Sequence, residues 1–201
     1  MDSSNPVTVI VDGSTTLRRT PSNRSTTQGR LGVVVVAPNN TLALFETCAH
    51  PNVGLSHNEY EYLSVVHGLS CVTRLFSTQV LEGYKLGNKP RIPRDIKLLV
   101  DSELVCNQML GEYATRKEKF RKYQKKIKEG CRFFSSVSIQ WHSRESDLAV
   151  VADYATRKPE HVIDRLHRQY RNKDISLLIE EIFERKIVEE DSKKGKRDET
   201  I

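Results

Sequence analysis

The chain has 201 residues, of which 37% are apolar and 29% charged, and its net charge is +6. This length suffices for one well-buried core but not comfortably for two domains. No stretch approaches the roughly 20 apolar residues of a membrane span, and residues 1–6 lack the basic and apolar regions of a secretory signal. We therefore expect an intracellular protein, cytoplasmic or nuclear, that is neither secreted nor membrane-bound.

The net positive charge comes from the first part of the chain. Residues 158–201 contain 11 basic and 11 acidic side chains, so the whole excess falls on residues 1–157. A modest basic surplus suits a polyanionic partner, although many unrelated proteins carry as much.

The four cysteines are widely separated and never approach Cys-x-x-Cys spacing. This spacing favours free thiols over a metal site or a disulfide framework.

The apolar pattern predicts alternating strands and helices. Strands are predicted at 7–11, 31–37, 41–48, 96–100 and 136–141. Helices are predicted at 102–110, 115–131, 160–170 and 174–188, and a further helix begins near Leu148. Another helix follows the third predicted strand and has a buried stripe of Tyr62, Val65, Leu69, Val72 and Phe76. The remaining segments are a mobile basic loop at 14–30, a surface insertion at 77–95 and a charged, disordered tail at 191–201. This order predicts a mixed five-stranded sheet flanked by helices, formed by residues 1–157, with a helical extension at 158–190.

Acidic residues follow two of the predicted buried strands. Asp12 and Asp101 each follow the carboxyl end of a strand, where ligand sites of α/β sheets lie. Glu61 lies at the edge of the buried stripe of a predicted helix. Converging carboxylates repel one another unless a cation neutralises them. Oxygen ligands favour Mg²⁺ or Mn²⁺, and two such ions about 4 Å apart can promote phosphodiester hydrolysis. Alternatively, each acid is only a turn or helix-capping residue.

Four motifs in order resemble type 1 ribonuclease H, in particular the archaeal, bacterial and plant subgroup that lacks the basic protrusion. The resemblance spans residues 7–157 and is carried by Val9–Ser14 (VIVDGS) with Gly32–Val35, Ser56–Leu63 (SHNEYEYL), Leu98–Val105 (LLVDSELV) continuing to Tyr113, and Trp141–Glu145 with Ala152–Ala155. It implies the ribonuclease H fold and cleavage of the RNA strand of RNA–DNA hybrids, leaving a 5′-phosphate, with double-stranded RNA as a further candidate substrate.

The resemblance also assigns the site residues. Asp12 and Asp101 would hold two Mg²⁺ ions, with Mn²⁺ as a substitute, Glu61 would orient the attacking water, and Asp153 would complete the second metal site. Asn58 matches an asparagine that contacts the RNA strand near a 2′-hydroxyl, the group that distinguishes RNA from DNA. Ser14 is implied as a further nucleic-acid contact.

This sequence departs from the family pattern at the fourth acid. The family expects Arg-x-x-Asn-x-x-x-Asp, but Asp147 stands three residues after Arg144 and Val151 occupies the acid's position. Asp153 fits only with a two-residue insertion, although small neighbouring residues favour it, and Asp147 remains its rival. In the Asn-Asn pair before Glu61, His57 replaces the first asparagine.

A basic helix is predicted beside the site. Residues 115–132 contain nine basic side chains and two acidic ones, and the helical stripe leaves Lys117, Arg121 and Lys125 pointing outward. These side chains either form a solvated helix face or a phosphate track that binds independently of sequence.

Three functions stay open. The first is an active ribonuclease H, the second a non-catalytic nucleic-acid-binding or scaffold module, and the third another nuclease of the same fold. The amphipathic helix at 174–188 could dock on the domain, pair two subunits or bind another protein.

Overall fold

The computed structural model describes residues 5–19, 25–85 and 95–198, which form five strands and six helices. The strands are β1 (Val7–Arg19), β2 (Ser25–Val36), β3 (Leu42–Val53), β4 (Asp95–Val100) and β5 (Ser136–Trp141). The helices are α1 (His57–Lys85), α2 (Glu103–Leu110), α3 (Glu118–Cys131), α4 (Asp147–Arg157), α5 (Glu160–Tyr170) and α6 (Ile175–Asp198).

The strands form one mixed sheet in the order β3-β2-β1-β4-β5. The first three strands are an antiparallel meander, whereas β4 and β5 run parallel to β1. Parallel neighbours need a crossover connection; α1 provides it before β4, and α2 with α3 before β5. The predicted mixed five-stranded α/β architecture is confirmed.

Helices cover both faces of this sheet. Because successive strand residues point to opposite faces, Val9 and Val11 pack with α1 and α3, whereas Ile10 packs with α4, α5 and α6. The stripe predicted for α1 is buried, as its residues Tyr62, Val65, Leu69, Val72 and Phe76 all lie in the first of these clusters.

The C-terminal extension docks on its own domain. The turn after α5 binds the start of β3, where Asn172 N donates to Leu42 O at 2.8 Å, and α6 then runs back across the same face. Ile175, Leu178 and Ile182 are buried in the second core cluster. Much of the stripe predicted at 174–188 is therefore used within the chain, and a protein partner or self-association there stays a prediction.

Three irregular segments were predicted wrongly. Within 14–30, β1 and β2 continue as a ribbon from Ser14 paired with Arg30 to Arg19 paired with Ser25; ladder hydrogen bonds need no apolar side chains, and threonine favours strands. Within 77–95, α1 continues to Lys85, and in the 191–201 tail α6 continues to Asp198, because both segments carry strong helix formers. Residues 20–24, 86–94 and 199–201 lie outside the described residues.

Among the described helices, none combines the length and the apolar character needed to cross a membrane.

Candidate active site

The two predicted aspartates lie side by side at one end of the sheet. Val11 pairs with Val100 in the parallel ladder between β1 and β4, and each of these valines is followed directly by its aspartate. Asp12 is 7% exposed, and the side chain of Asp101 is 10% exposed. The topology therefore brings residues nearly 90 positions apart to one sheet end, as predicted from the strand ends.

Helix α1 begins so that Glu61 reaches the same place. Its start is held by Glu59, whose Oε2 accepts from the amide and the hydroxyl of Ser56 at 3.0 and 2.8 Å, as the carboxylate of a capping box does. Gly13 permits the close approach of the helix, since a Cβ there would lie 2.8 Å from the Glu61 amide nitrogen. Glu61 is 1% exposed.

Asp12, Glu61 and Asp101 form a carboxylate cluster whose potential ligand oxygens lie within 4.8 Å of one another. Thr156 Oγ1 donates to Asp12 Oδ2 at 3.0 Å. Apart from a contact with His57, neither oxygen of Glu61 has a hydrogen-bond partner among the described residues, and Asp101 Oδ1 also lacks one there. Buried carboxylate oxygens need compensating partners, and a divalent cation satisfies that need. The residues present therefore fit a metal.

Burial and mutual repulsion act on the protonation of this cluster. Burial, reinforced by the charge of Asp101, raises the pKa of Asp12 to about 6. Burial also raises the pKa of Glu61 to about 7, against the lowering effect of His57 and with the added repulsion of Asp101 and Asp12. The raised pKa values show that the three carboxylates are unfavourable when all are charged. A cation bound between them would compensate their charge.

His57 contacts the cluster directly. Its Nε2 lies 3.0 Å from Glu61 Oε1, and this contact raises the pKa of the imidazole. In the sequence, His57 stands out only as a departure from an asparagine. Its position four residues before Glu61 on one helix was the available signal.

A cavity of about 410 Å³ opens beside the cluster. Asp12, Ser14, Asp101 and Asp153 are among the residues that line it. Helix α4 carries Asp153 and approaches closely at Gly32, where a Cβ would lie 2.6 Å from the Ala152 carbonyl oxygen.

The two candidates for the fourth acid are placed differently. Asp153 lines the cavity but is outside the 4.8 Å cluster, and Arg157 Nε donates to its Oδ1 at 2.7 Å. Asp147 is exposed at the first residue of α4 and is not among the residues lining the cavity. The geometry thus favours Asp153 over Asp147, and a metal-binding role for it stays a prediction.

Three basic side chains at the cavity were not predicted from the sequence as site residues. Arg144 Nε lies 3.1 Å from Asp101 Oδ2, Arg157 binds Asp153, and Lys186 Nζ lies 3.7 Å from Asp153 Oδ2. The spacing of Arg157, four residues after Asp153, was a usable signal. Lys186 lies on α6, in the C-terminal extension, and no local pattern connects it with the acids.

Asn58, Ser14 and the start of α3 lie at the same end of the molecule as the carboxylate cluster. Asn58 is the second residue of α1 and is half-buried, and Ser14 lies on the cavity wall. Lys119 Nζ near the start of α3 binds Glu59 Oε2 at 2.8 Å, which places that end of α3 beside the start of α1.

Helix α3 presents the predicted basic face. Lys117, Arg121 and Lys125 are exposed, whereas Phe120 and Ile127 are buried. Arg121 donates to the carbonyl oxygens of Thr115 and Arg116 at 2.9 and 3.1 Å. Gly130 lies against Leu69, so α3 runs alongside α1 and its basic face leads away from the carboxylate cluster.

Known proteins resemble this chain in structure. No family model matches it, and no curated protein matches its sequence. Ribonuclease H1 from the halophilic archaeon Halobacterium salinarum matches with a TM-score of 0.55 at 20% identity, over 76% of this chain and 96% of that chain. The N-terminal ribonuclease H domain of a Mycobacterium tuberculosis protein matches with a TM-score of 0.53 at 19% identity, over 79% and 97%.

A third match is to a structure with bound nucleic acid. LC11-RNase H1, isolated from compost by a metagenomic approach, was solved in complex with an RNA/DNA hybrid and matches with a TM-score of 0.54. The identity is 15%, over 78% of this chain and 97% of that chain. At such identities the matches show the fold alone, and the chain has the ribonuclease H-like fold expected from its motifs.

Proposed function

We propose that this chain, a protein of ribonuclease H-like fold, hydrolyses the RNA strand of RNA–DNA hybrids with the help of divalent cations. The observation that carries the proposal is the carboxylate cluster, in which Asp12, Glu61 and Asp101 converge. Within it, Glu61 Oε2 and Asp101 Oδ1 are buried and have no hydrogen-bond partner among the described residues. The four family motifs and the structural neighbours support the same activity.

Divalent cations fit the chemistry of this donor set. Asp12, Glu61 and Asp101 would hold Mg²⁺, with Mn²⁺ as a substitute, and Asp153 would help to hold a second ion. When bound, such ions activate the nucleophile and stabilise the leaving oxygen of a phosphodiester. In the reaction, a water oxygen forms a bond to phosphorus and the P–O3′ bond breaks, which leaves a 5′-phosphate and a 3′-hydroxyl.

The protein's own groups bind and orient the substrate. Arg144, Arg157 and Lys186 line the cavity and supply positive charge for the scissile phosphate. Glu61, whose Oε1 contacts His57 Nε2 at 3.0 Å, orients the attacking water. Asn58, at the start of α1, is the candidate contact to a 2′-hydroxyl of the RNA strand.

Cleavage of a labelled RNA–DNA hybrid tests the proposal. The purified chain should release short RNA products with Mg²⁺ or Mn²⁺, and Asp101→Asn should abolish this while hybrid binding persists. Asp147→Asn is the matched control, since Asp147 is an exposed acid that is not among the cavity-lining residues, and it should retain activity. Double-stranded RNA, single-stranded RNA and duplex DNA, tested in parallel, separate this activity from that of another nuclease.

A second candidate function is a non-catalytic hybrid-binding module. It is favoured by the cations that already engage two of the acids, Arg144 with Asp101 and Arg157 with Asp153. A wild-type protein that binds hybrid yet cleaves nothing with either metal would establish this function instead.

A further inference from the structure

A second cluster of metal-ligating side chains lies between β3 and α1, away from the carboxylates. On β3, Glu46 and Cys48 pair with Val33 and Leu31, respectively, and so share one face of the sheet. On α1, His67 and Cys71 are four residues apart and share one face of the helix. The chain thus brings two short pairs, each from a different element, against each other.

The distances among Glu46, His67 and Cys71 match those between the ligands of a tetrahedral zinc ion. Cys48 approaches His67 from β3. His67 Nε2 lies 3.3 Å from Glu46 Oε1 and 3.5 Å from each of Cys48 Sγ and Cys71 Sγ. Cys71 Sγ lies 3.7 Å from Glu46 Oε1. Ordinary zinc bond lengths with tetrahedral angles place ligand atoms about 3.5 Å apart for sulfur–nitrogen or sulfur–oxygen pairs and about 3.3 Å apart for nitrogen–oxygen.

Hydrogen bonding alone serves this arrangement poorly. A single imidazole N–H cannot donate well to three neighbours at once, yet three potential ligand atoms surround His67 Nε2. A single cation bound among these atoms would be shared by all of them, as one proton cannot be.

The charges also balance around a divalent ion. Zn²⁺ with two thiolates, one carboxylate and a neutral imidazole carries one net negative charge. Arg74 binds Glu46 Oε2, the oxygen on the far side from His67, and its Nη2 lies 3.7 Å from Cys71 Sγ. Its guanidinium offsets the remaining charge and orients the carboxylate, as partners of metal ligands do elsewhere.

We propose that Glu46, Cys48, His67 and Cys71 form a zinc-binding site that joins the edge strand β3 to helix α1. Glu46, His67 and Cys71 already offer ligand atoms within 4.8 Å of one another, and Cys48 closes on the ion as the fourth ligand. The site is separate from the carboxylate cluster, since His67 lies six residues beyond Glu61, about 9 Å along the helix. Its role is structural, because it links two elements and leaves no position for substrate.

Cobalt substitution tests the site without reference to activity. The full chain, stripped with a chelator, is titrated with Co²⁺ in excess Mg²⁺, which occupies the carboxylates but does not compete for thiolates. One equivalent of Co²⁺ should produce a thiolate-to-metal charge-transfer band, and Zn²⁺ should abolish it. Cys71→Ser and His67→Gln should each weaken Zn²⁺ binding by at least about 100-fold, more than loss of a supporting partner usually costs.

Matched variants distinguish this site from cobalt binding at another thiol or at the carboxylates. Cys131→Ser, which changes a half-buried cysteine on α3, should keep the band, and Asp101→Asn should keep it too. Cys48→Ser should reduce its intensity, because one of two thiolates is lost. A wild type without the band, a band of full intensity in Cys71→Ser, or a band lost in Asp101→Asn would overturn the proposal.

A melting experiment covers the case in which a variant folds poorly. Zn²⁺ should raise the melting temperature of the wild type and of Asp101→Asn, because binding only the folded state stabilises it. The same concentration of Zn²⁺ should leave the melting temperature of His67→Gln unchanged. An equal rise in His67→Gln, or no rise in the wild type, would also refute the site, whatever the hydrolytic activity of the chain.

Discussion

Lys186 Nζ lies 3.7 Å from Asp153 Oδ2, so the C-terminal extension reaches the candidate fourth acid. The path of the chain explains the contact. The turn between α5 and α6 is fastened to the start of β3, where Ile175 N donates to Asn40 O at 3.0 Å, at the sheet end opposite Asp12. Helix α6 then returns along the sheet and delivers Lys186 to the cavity.

We expect Lys186→Met to lower the Mg²⁺ concentration for half-maximal hybrid cleavage by about 2- to 5-fold. The side chains of this ion pair are 33% and 32% exposed, and such a pair is worth up to about 1 kcal/mol. Removing the ammonium frees one oxygen of Asp153 for a metal ion. The measurement is the initial rate of cleavage as a function of Mg²⁺ concentration. Arg171→Met, an exposed change at the far end of α5, is the control and should leave the curve unchanged. A higher Mg²⁺ requirement in Lys186→Met would contradict this role.

The stability of the metal-free protein should fall as pH rises, because of Glu61. Its pKa is raised from 4.5 to about 7, so its neutral form is favoured in the fold. The associated stability is present in full below about pH 4.5 and is lost as pH rises through about 7. Glu61→Gln removes the share of this dependence that comes from Glu61, worth about 2 to 3 kcal/mol between these limits, and leaves the smaller share of Asp12, whose pKa is raised to about 6. Urea unfolding in a chelator at pH 5 and pH 7.5 measures it.

Glu118→Gln is the control for the pH experiment. Glu118 is an exposed carboxylate paired with Lys122 on α3, and its removal should preserve the wild-type slope. Added Mg²⁺ should stabilise the wild type more at pH 7.5 than at pH 5, because protons and metal compete for the same oxygens. Identical slopes in wild type and Glu61→Gln would show that Glu61 ionises normally.

Neutralising the basic face of α3 should weaken hybrid binding and its salt dependence. With Lys117, Arg121 and Lys125 all changed to Gln, the slope of log K against log salt should shrink by up to about 2.7, the value for three phosphate contacts. A triple change to Gln on the exposed face of α5, at Arg165, Arg168 and Arg171, removes equal charge and should preserve the slope. An equal decrease of the slope in both variants would mean that hybrid binding depends on the net charge of the protein and not on the position of these side chains.

Gly13→Ala should disrupt the site by displacing α1. The added Cβ would lie 2.8 Å from the Glu61 amide nitrogen, against helix backbone that cannot yield. We expect a loss of about 2 kcal/mol or more in unfolding free energy and a large loss of cleavage. Gly130→Ala meets only the flexible Leu69 side chain, at 3.2 Å, and should cost less than about 1 kcal/mol with cleavage intact. Similar losses of stability and cleavage in both variants would show that the close approach of α1 at Gly13 is not required for the site.

Local patterns in the sequence were sufficient for the main elements of the fold. The stripe from Tyr62 to Phe76 and the apolar strands ending at Asp12 and Asp101 are short-range signals, set by helix and strand periodicity. They failed where structure depends on the backbone rather than on apolar side chains. The polar ribbon formed by β1 and β2 is the example, since its ladder is hydrogen-bonded through main-chain groups.

The sequence alone therefore determined which elements form and which strand ends carry acids. Tertiary structure decided which side chains from distant elements meet: Lys186 with Asp153, Arg144 with Asp101, and Cys71 with Glu46. Cysteine spacing predicted free thiols, and Cys48, Cys71, Cys106 and Cys131 are free in the structure. That Cys48 and Cys71 both approach His67 could not be predicted from spacing, because the contact draws on two elements. The physical reason is that contact between such residues depends on the packing of whole elements, which no local pattern encodes.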